Sequence, residues 1–246
     1  MVTWGLSCPF GPSGLRGPNA RTCGRSMNGF QPPVTLTGRW VRLVPLSAAH
    51  APALRHAARD PEVRRFLLHG PGETMEELRA LIDYRLEGMK AGTDLPFTTV
   101  LCSDDRPVGM TGFLHIDRTN LSVEVGGTWL DSEVWNTPVN TESKYLLFRY
   151  AFETGKVHRV TLQTDLRNER SQRAIARLGA AREATFREDK LRPDGSYRSS
   201  VYYGILLSEW PRVREDLERM LAREWKAPTG PATPTGPRGG RPEAAP

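Results

Sequence analysis

A chain of 246 residues with 38% hydrophobic and 25% charged residues has the composition of a folded soluble protein, one large domain or two small ones. No apolar run reaches the ~20 residues a membrane helix needs, and the opening MVTWGLSCPFGPSG lacks a basic start followed by a continuous apolar core, so neither a signal peptide nor a membrane partner is expected and the location is read as cytoplasmic. Of the net charge of +6, residues 1–33 hold +3 and residues 226–246 hold +2, leaving +1 on the body, which gives no electrostatic case for a nucleic-acid partner.

Residues 1–33 are rich in Gly, Pro, Ser and Arg without periodicity, and are expected to be a disordered tail. Met27 lies just ahead of the patterned region. RWVRLVPL (39–46) alternates like a strand, and Ser47 is a good cap for a helix over 47–58. Helices follow at 61–67 and 74–92, the second with Met75, Leu78, Leu81, Ile82 and Leu86 at helical spacing and a stop at Gly92. Strands are expected at 96–103, 106–116 and 121–130, joined by the turn chemistry of DDRP and DRTN. A helix at about 138–154, a strand at 159–165 and a helix at 169–179 come next, the last capped by Asn168. Two strands at about 181–189 and 197–207 flank PDGS, and a helix at 208–221 begins with Ser208 as its cap. The order describes one mixed α/β domain over 34–222, followed by a second disordered, Pro/Gly-rich tail over 223–246.

Two features carry chemistry. Gly126-Gly127 in mid-strand is unfavourable for a strand and marks a bulge or a close backbone approach. If that strand parts there from its neighbour at 159–165, a wedge of unpaired N–H and C=O groups opens, and an extended ligand bearing amides can pair with it. Just beyond lies WNTPVNTE. With Thr137 as cap and Pro138 at the first helical position, the amides of Val139, Asn140 and Thr141 point out along the positive end of the helix dipole, a site for phosphate, or else simply a capped and hydrated helix start. The three cysteines, Cys8, Cys23 and Cys102, show no C-x-x-C spacing, so neither a disulfide framework nor a metal site is expected.

EVGGTWL, WNTPVNTESKYLLFRYAFE and TDLRNERSQRAIARLGA, taken together and in this order, resemble the GNAT acetyltransferase superfamily, in its branch of ribosomal-protein N-acetyltransferases (RimJ/RimL-like). The resemblance runs from Leu36 to Leu221. It implies a central, mostly antiparallel sheet with a splayed wedge and helices on both faces, and acetyl-CoA as cosubstrate with no metal. The wedge strand would pair with the pantetheine arm through the backbone of Thr128, Trp129 and Leu130. The family's pyrophosphate loop, Q/R-x-x-G-x-G/A, falls on Trp135, Pro138 and Asn140, none of which matches it. The Thr137 hydroxyl and the amides of Val139, Asn140 and Thr141 are then the remaining donors. Asn168 falls on the position that reaches the cofactor arm. Arg173, or Lys144, could assist at the phosphates, the plain alternative being a solvated helix charge.

Acetyl transfer to an amine needs a neutral amine, a held oxyanion and a protonated leaving thiolate. The tyrosine that many family members place seven residues after the Asn168 position is Ile175 here, which donates nothing. The ribosomal-protein branch implies Ser171 as the acid instead. Glu124, on the wedge strand, is the candidate base, with His115 one strand earlier as the alternative. The expected partners are acetyl-CoA and a primary amine, on a protein N-terminus or a small molecule, and the chain could work as a homodimer. The departures at Trp135, Pro138 and Ile175 leave one rival, a CoA-binding or protein-interaction module that has lost catalysis.

Overall fold

The computed structural model describes residues 27, 30, 34–192 and 194–223. The tails expected over 1–33 and 223–246 lie outside the described residues, save Met27, Phe30 and Arg223. Two of these correct the expectation. Met27 and Phe30 are buried, and the Phe30 ring packs edge-on against Phe113 and Tyr150, 4.9 and 5.3 Å between centroids. The folded body therefore recruits residues ahead of 34, because Met27 joins the apolar cluster and the Phe30 ring finds a hollow beside Gly155, where any Cβ would collide with it.

Eight strands form one sheet in the order β1-β2-β3-β4-β5-β6-β8-β7. These are β1 (Leu36–Thr37), β2 (Val41–Pro45), β3 (Leu95–Leu101), β4 (Pro107–Asp117), β5 (Ser122–Leu130), β6 (Arg159–Asp165), β7 (Ala181–Leu191) and β8 (Tyr197–Leu206). Every pairing is antiparallel except β5 with β6. That exception has only three rungs, Ser122 to Glu124 opposite Arg159 to Thr161, after which the two strands part.

Among the described residues six α-helices cover the sheet: α1 (Ala51–Arg59), α2 (Pro61–Arg64), α3 (Met75–Lys90), α4 (Pro138–Arg149), α5 (Glu169–Arg177) and α6 (Trp210–Leu221). Their starts follow from sequence. Thr74 and Glu77 form a capping box at α3, and Thr137 accepts from the Val139 amide with Pro138 at the first position of α4. At α6 the helix begins two residues later than expected. Ser208 does not cap it; Glu209 stands at the cap, its carboxylate accepting from the Leu206 amide at 2.8 Å.

The sheet separates two apolar clusters. Leu54, Ala58, Leu78 and Ile82 pack with Met110 and Trp129 on the side of α1–α3. Val123, Val125 and Leu130 pack with Leu146, Leu147, Phe148, Ile175 and Leu217 on the side of α4–α6. Because side chains alternate along β5, Glu124 and Gly126 face α3. The bulge at Gly127, whose φ is +61°, then turns Thr128 toward α4.

Candidate active site

Where β5 and β6 part, a cleft of about 930 Å³ opens, lined by residues from both faces of the sheet. On the α3 face it is walled by His69, Tyr84, Arg85, His115 and Glu124; on the other face by Trp135, Asn140, Lys144, Asn168 and Ser171. Beyond Glu124 the β6-facing edge of β5 has no ladder partner, so its backbone groups are available to an extended molecule.

The sequence candidates divide between those the cleft gathers and those it does not. Glu124, Thr128, Trp129, Leu130, Thr137, Asn140, Asn168 and Ser171 all line it. Glu124 is nearly buried; its Oε2 accepts from Gln163 Nε2 at 2.7 Å and lies 4.0 Å from His115 Nε2. Asn168 accepts from the Ser171 amide at 3.0 Å, which seats Ser171 in the first turn of α5. The Trp129 indole is buried against α1 and α3, so only its backbone can serve the wedge.

Three candidates are corrected. Val139 does not line the cleft, and its amide is held by the Thr137 hydroxyl at 3.3 Å. Thr141 is buried, and its hydroxyl accepts from Arg177 Nη2 at 3.1 Å; at the fourth helical position its amide is also the first with an intrahelical acceptor. That leaves Asn140 as the first-turn amide facing the cleft. Arg173 points to solvent, paired with Glu169 at 3.1 Å, because it sits on the outer face of a strongly amphipathic helix. Its neighbours Arg170 and Arg177 line the cleft instead.

Lys144, expected only as an alternative helper at the phosphates, sits deeper in the site than that reading placed it. It is buried, lines the cleft and donates to Thr111 Oγ1 at 3.1 Å and Thr128 Oγ1 at 2.5 Å. Burial pushes its ammonium down from the ordinary 10.5 to about 7, and Glu124 partly opposes the shift. Its spacing was a usable signal. Positions 140, 144, 147 and 151 share one helix face, and Leu147 and Ala151 on it are fully buried.

Away from the cleft, His56, Asp131 and Glu133 bring ligand-type atoms within 4.8 Å of one another, but Arg106 sits 3.5 Å from Asp131 and 3.2 Å from Glu133 and already supplies a positive charge. No helix among the described residues is long and apolar enough to cross a membrane.

A sheet split after three parallel rungs, with a helix start at the mouth of the split, is the architecture of an acyl-group transferase that seats its donor between strands. Residues 41–181 match the family described as Acetyltransferase (GNAT) domain, and the chain belongs to that family. It is 31% identical over 125 residues to the Bacillus subtilis (strain 168) protein named "Putative ribosomal N-acetyltransferase YdaF", an alignment spanning 51% of this chain and 63% of that protein's length. A solved structure from T. thermophilus, titled "Crystal structure of putative acetyltransferase", is 41% identical, with a TM-score of 0.70, covering 77% of this chain and 97% of that one. The fold also matches Mycobacterium smegmatis RimJ in complex with CoA-disulfide, at 19% identity and a TM-score of 0.68 over 80% of this chain and 99% of that one.

The residues present fit a long, amide-bearing, phosphorylated donor. The free edge of β5 offers backbone pairing, Asn140 offers an amide at a positive helix end, and Arg170 and Arg177 stand at the same cleft. Gln163 Oε1, buried at the wedge, has no partner among the described residues.

Proposed function

We propose that the protein moves an acetyl group from acetyl-CoA to a primary amine, on a protein N-terminus or a small molecule, by direct attack within a ternary complex. The observation that carries this reading is the cleft itself, which reaches both faces of the sheet through the parted strands. Two substrates can enter from opposite sides and meet at the bulge without an intermediate on the enzyme, and such positioning supplies much of the rate.

The parts follow from the faces. Acetyl-CoA lies along the α4–α5 side, its diphosphate near the Asn140 amide and its arm against Thr128, Trp129 and Leu130. The amine arrives on the α3 side, where Glu124 takes its proton, directly or through water. A strand amide beside Trp129 or Leu130 holds the developing oxyanion. The Ser171 hydroxyl, in the first turn of α5, stands on the donor side. A cytoplasmic location, expected from the opening residues, fits this reading.

Calorimetry with acetyl-CoA, combined with thiol release across a panel of free-amine peptides and small amines, tests the reading. Micromolar binding together with amine-dependent thiol release is expected. Binding with no thiol release on any amine would instead mark a CoA-binding module that has lost catalysis.

A further inference from the structure

Lys144 is held in a way that leaves one position of its nitrogen unused. Its Nζ reaches Thr111 Oγ1 on β4 and Thr128 Oγ1 on β5, and those two hydroxyls are themselves 2.8 Å apart. The three atoms close over the β-bulge, where the rungs jump from Met110 opposite Trp129 to Gly112 opposite Gly126. Two N–H groups of Lys144 are therefore engaged. The remaining position, an N–H in the ammonium and a lone pair in the amine, has no partner among the described residues, and the side chain that carries it lines the cleft. Among the described residues Lys144 makes no ion pair; Glu124 on β5 is the charged group that bears on it, and only through space.

Its placement separates it from Glu124. Alternation puts Glu124 on the α3 face of β5, whereas Thr128 and Lys144 meet on the α4 face. Asn140 lies one turn before Lys144 on the same helix face, and both line the cleft. A donor bound from the Asn140 amide toward the bulge passes Lys144 just before the wedge. The acceptor's proton is thus handled on one face and the donor's sulfur on the other.

We propose that Lys144 is the acid that protonates the departing sulfur of acetyl-CoA. The inference rests on the acetyl-transfer reading above and assigns it a residue. The acceptor nitrogen forms the N–C bond to the acetyl carbonyl carbon, and the C–S bond breaks with its electron pair going to sulfur. The ammonium of Lys144 gives its third proton to that sulfur, leaving a thiol and a neutral amine held by Thr111 and Thr128. The proton lost by the acceptor leaves through Glu124 or water, and solvent recharges Lys144. An ammonium titrating near 7 is a stronger acid than an alkyl thiol at about 8.5, so the transfer runs downhill. A serine hydroxyl such as that of Ser171 has no such advantage.

The test uses the full chain with acetyl-CoA and the most reactive free-amine peptide of the panel. Lys144→Met should bind acetyl-CoA within about threefold of the parent while kcat falls about 100-fold or more, the usual size of a lost general acid. Lys144→Arg should be equally slow, because a guanidinium keeps its charge but does not release its proton. The parent's kcat should decline at the alkaline end between about pH 6 and about pH 9 as the ammonium is lost, and that decline should be missing in Lys144→Met. Turnover of Lys144→Met within about threefold of the parent overturns the proposal, and so does recovery of parental kcat in Lys144→Arg, which would leave charge alone as the requirement. If Lys144→Met fails to bind acetyl-CoA, the arginine variant and the parent's pH profile decide, a level profile counting against Lys144. A parent that releases no thiol with any amine removes the acetyl-transfer reading itself, and the role of Lys144 falls with it.

Discussion

The guanidinium of Arg170 lies over the indole of Trp135, 3.3 Å from the ring centroid, and ties the start of α5 to the residues that lead into α4. Trp135 is fixed in turn by its Nε1 donating to the Leu130 carbonyl at 3.0 Å. Both residues line the cleft, so a pair that matches no glycine-rich loop still closes the mouth where a diphosphate would lie. Burial lowers the Arg170 pKa, with Glu62 and Asp60 opposing, so the cation is partly desolvated and its charge less screened.

Arg170→Ala should therefore weaken acetyl-CoA binding by roughly tenfold, the scale of one desolvated cation–π and phosphate contact. Arg173→Ala, whose side chain pairs with Glu169 in solvent, should leave affinity within about twofold. Calorimetry at low and high salt checks both, and the Arg170 effect should shrink as salt rises.

Glu142 anchors the first half of α4 to the entry of β2. Its buried carboxylate accepts from the amides of Arg39, Trp40 and Val41 at 2.7, 2.7 and 2.8 Å, which holds the entry of β2 against the helix. Glu142→Ala leaves those amides without acceptors, and the loss should be roughly 3 kcal/mol or more. A lower midpoint in urea at an unchanged m-value would show it. Glu142→Gln, which keeps one acceptor oxygen, should lose less.

Most elements were legible because their apolar spacing is regular. The strand at 159–165 and the helix start at Asn168 fall where the sequence puts them. What escaped lies where a residue's surroundings come from distant chain. Residues 141–144, Thr-Glu-Ser-Lys, are four polar residues in a row on a helix, a pattern that by itself signals exposure, yet all four are buried. The sheet, the β2 entry and Arg177 close over them, and Glu142 and Lys144 find partners 101 or more and 16 to 33 residues away. Met27 and Phe30 escaped for a related reason, since two isolated apolar residues among Gly and Pro make no period. Arg173 and Arg170, three positions apart, face different ways on α5, a distinction that composition does not carry.

The burial of Lys144 also has a signature in stability. In the folded protein it titrates near 7, while in the unfolded chain it returns to its ordinary 10.5. Below about pH 7 folding must desolvate a full charge, and as pH rises from about 7 toward 10.5 that penalty is relieved, because only the unfolded chain still binds the proton. Each pKa unit is worth about 1.4 kcal/mol, so the penalty at neutral pH amounts to several kcal/mol. Lys144→Met should raise the Tm most at pH 6 to 7, with the gain fading toward about pH 10 in thermal melts.

Gly127 adopts a φ of +61°, and a Cβ there would stand 3.2 Å from Arg85 Nη2. Gly127→Ala should cost about 1 kcal/mol from the left-handed backbone alone. Because the strain relaxes by flattening the bulge that aims Thr128 at Lys144, kcat should fall further than stability does. Steady-state rates set beside melting curves for the same variant check this.

The seam between β5 and β6 makes the two halves of the sheet unequal partners in any motion. Among the described residues one half, β1 to β5, and the other, β6 to β8, are joined along this seam by three backbone rungs and by the Leu121 carbonyl, which accepts from the His158 and Arg159 amides just ahead of them. The amides along the free edge of β5 are thus the point at which the fold records what has entered it. They should exchange their hydrogens quickly by themselves and slowly once a donor lies against them, while the rungs on the β4 side keep one rate throughout. A single stretch of strand, residues 126 to 130, then serves as an internal gauge of occupancy, readable by mass without any assay of turnover.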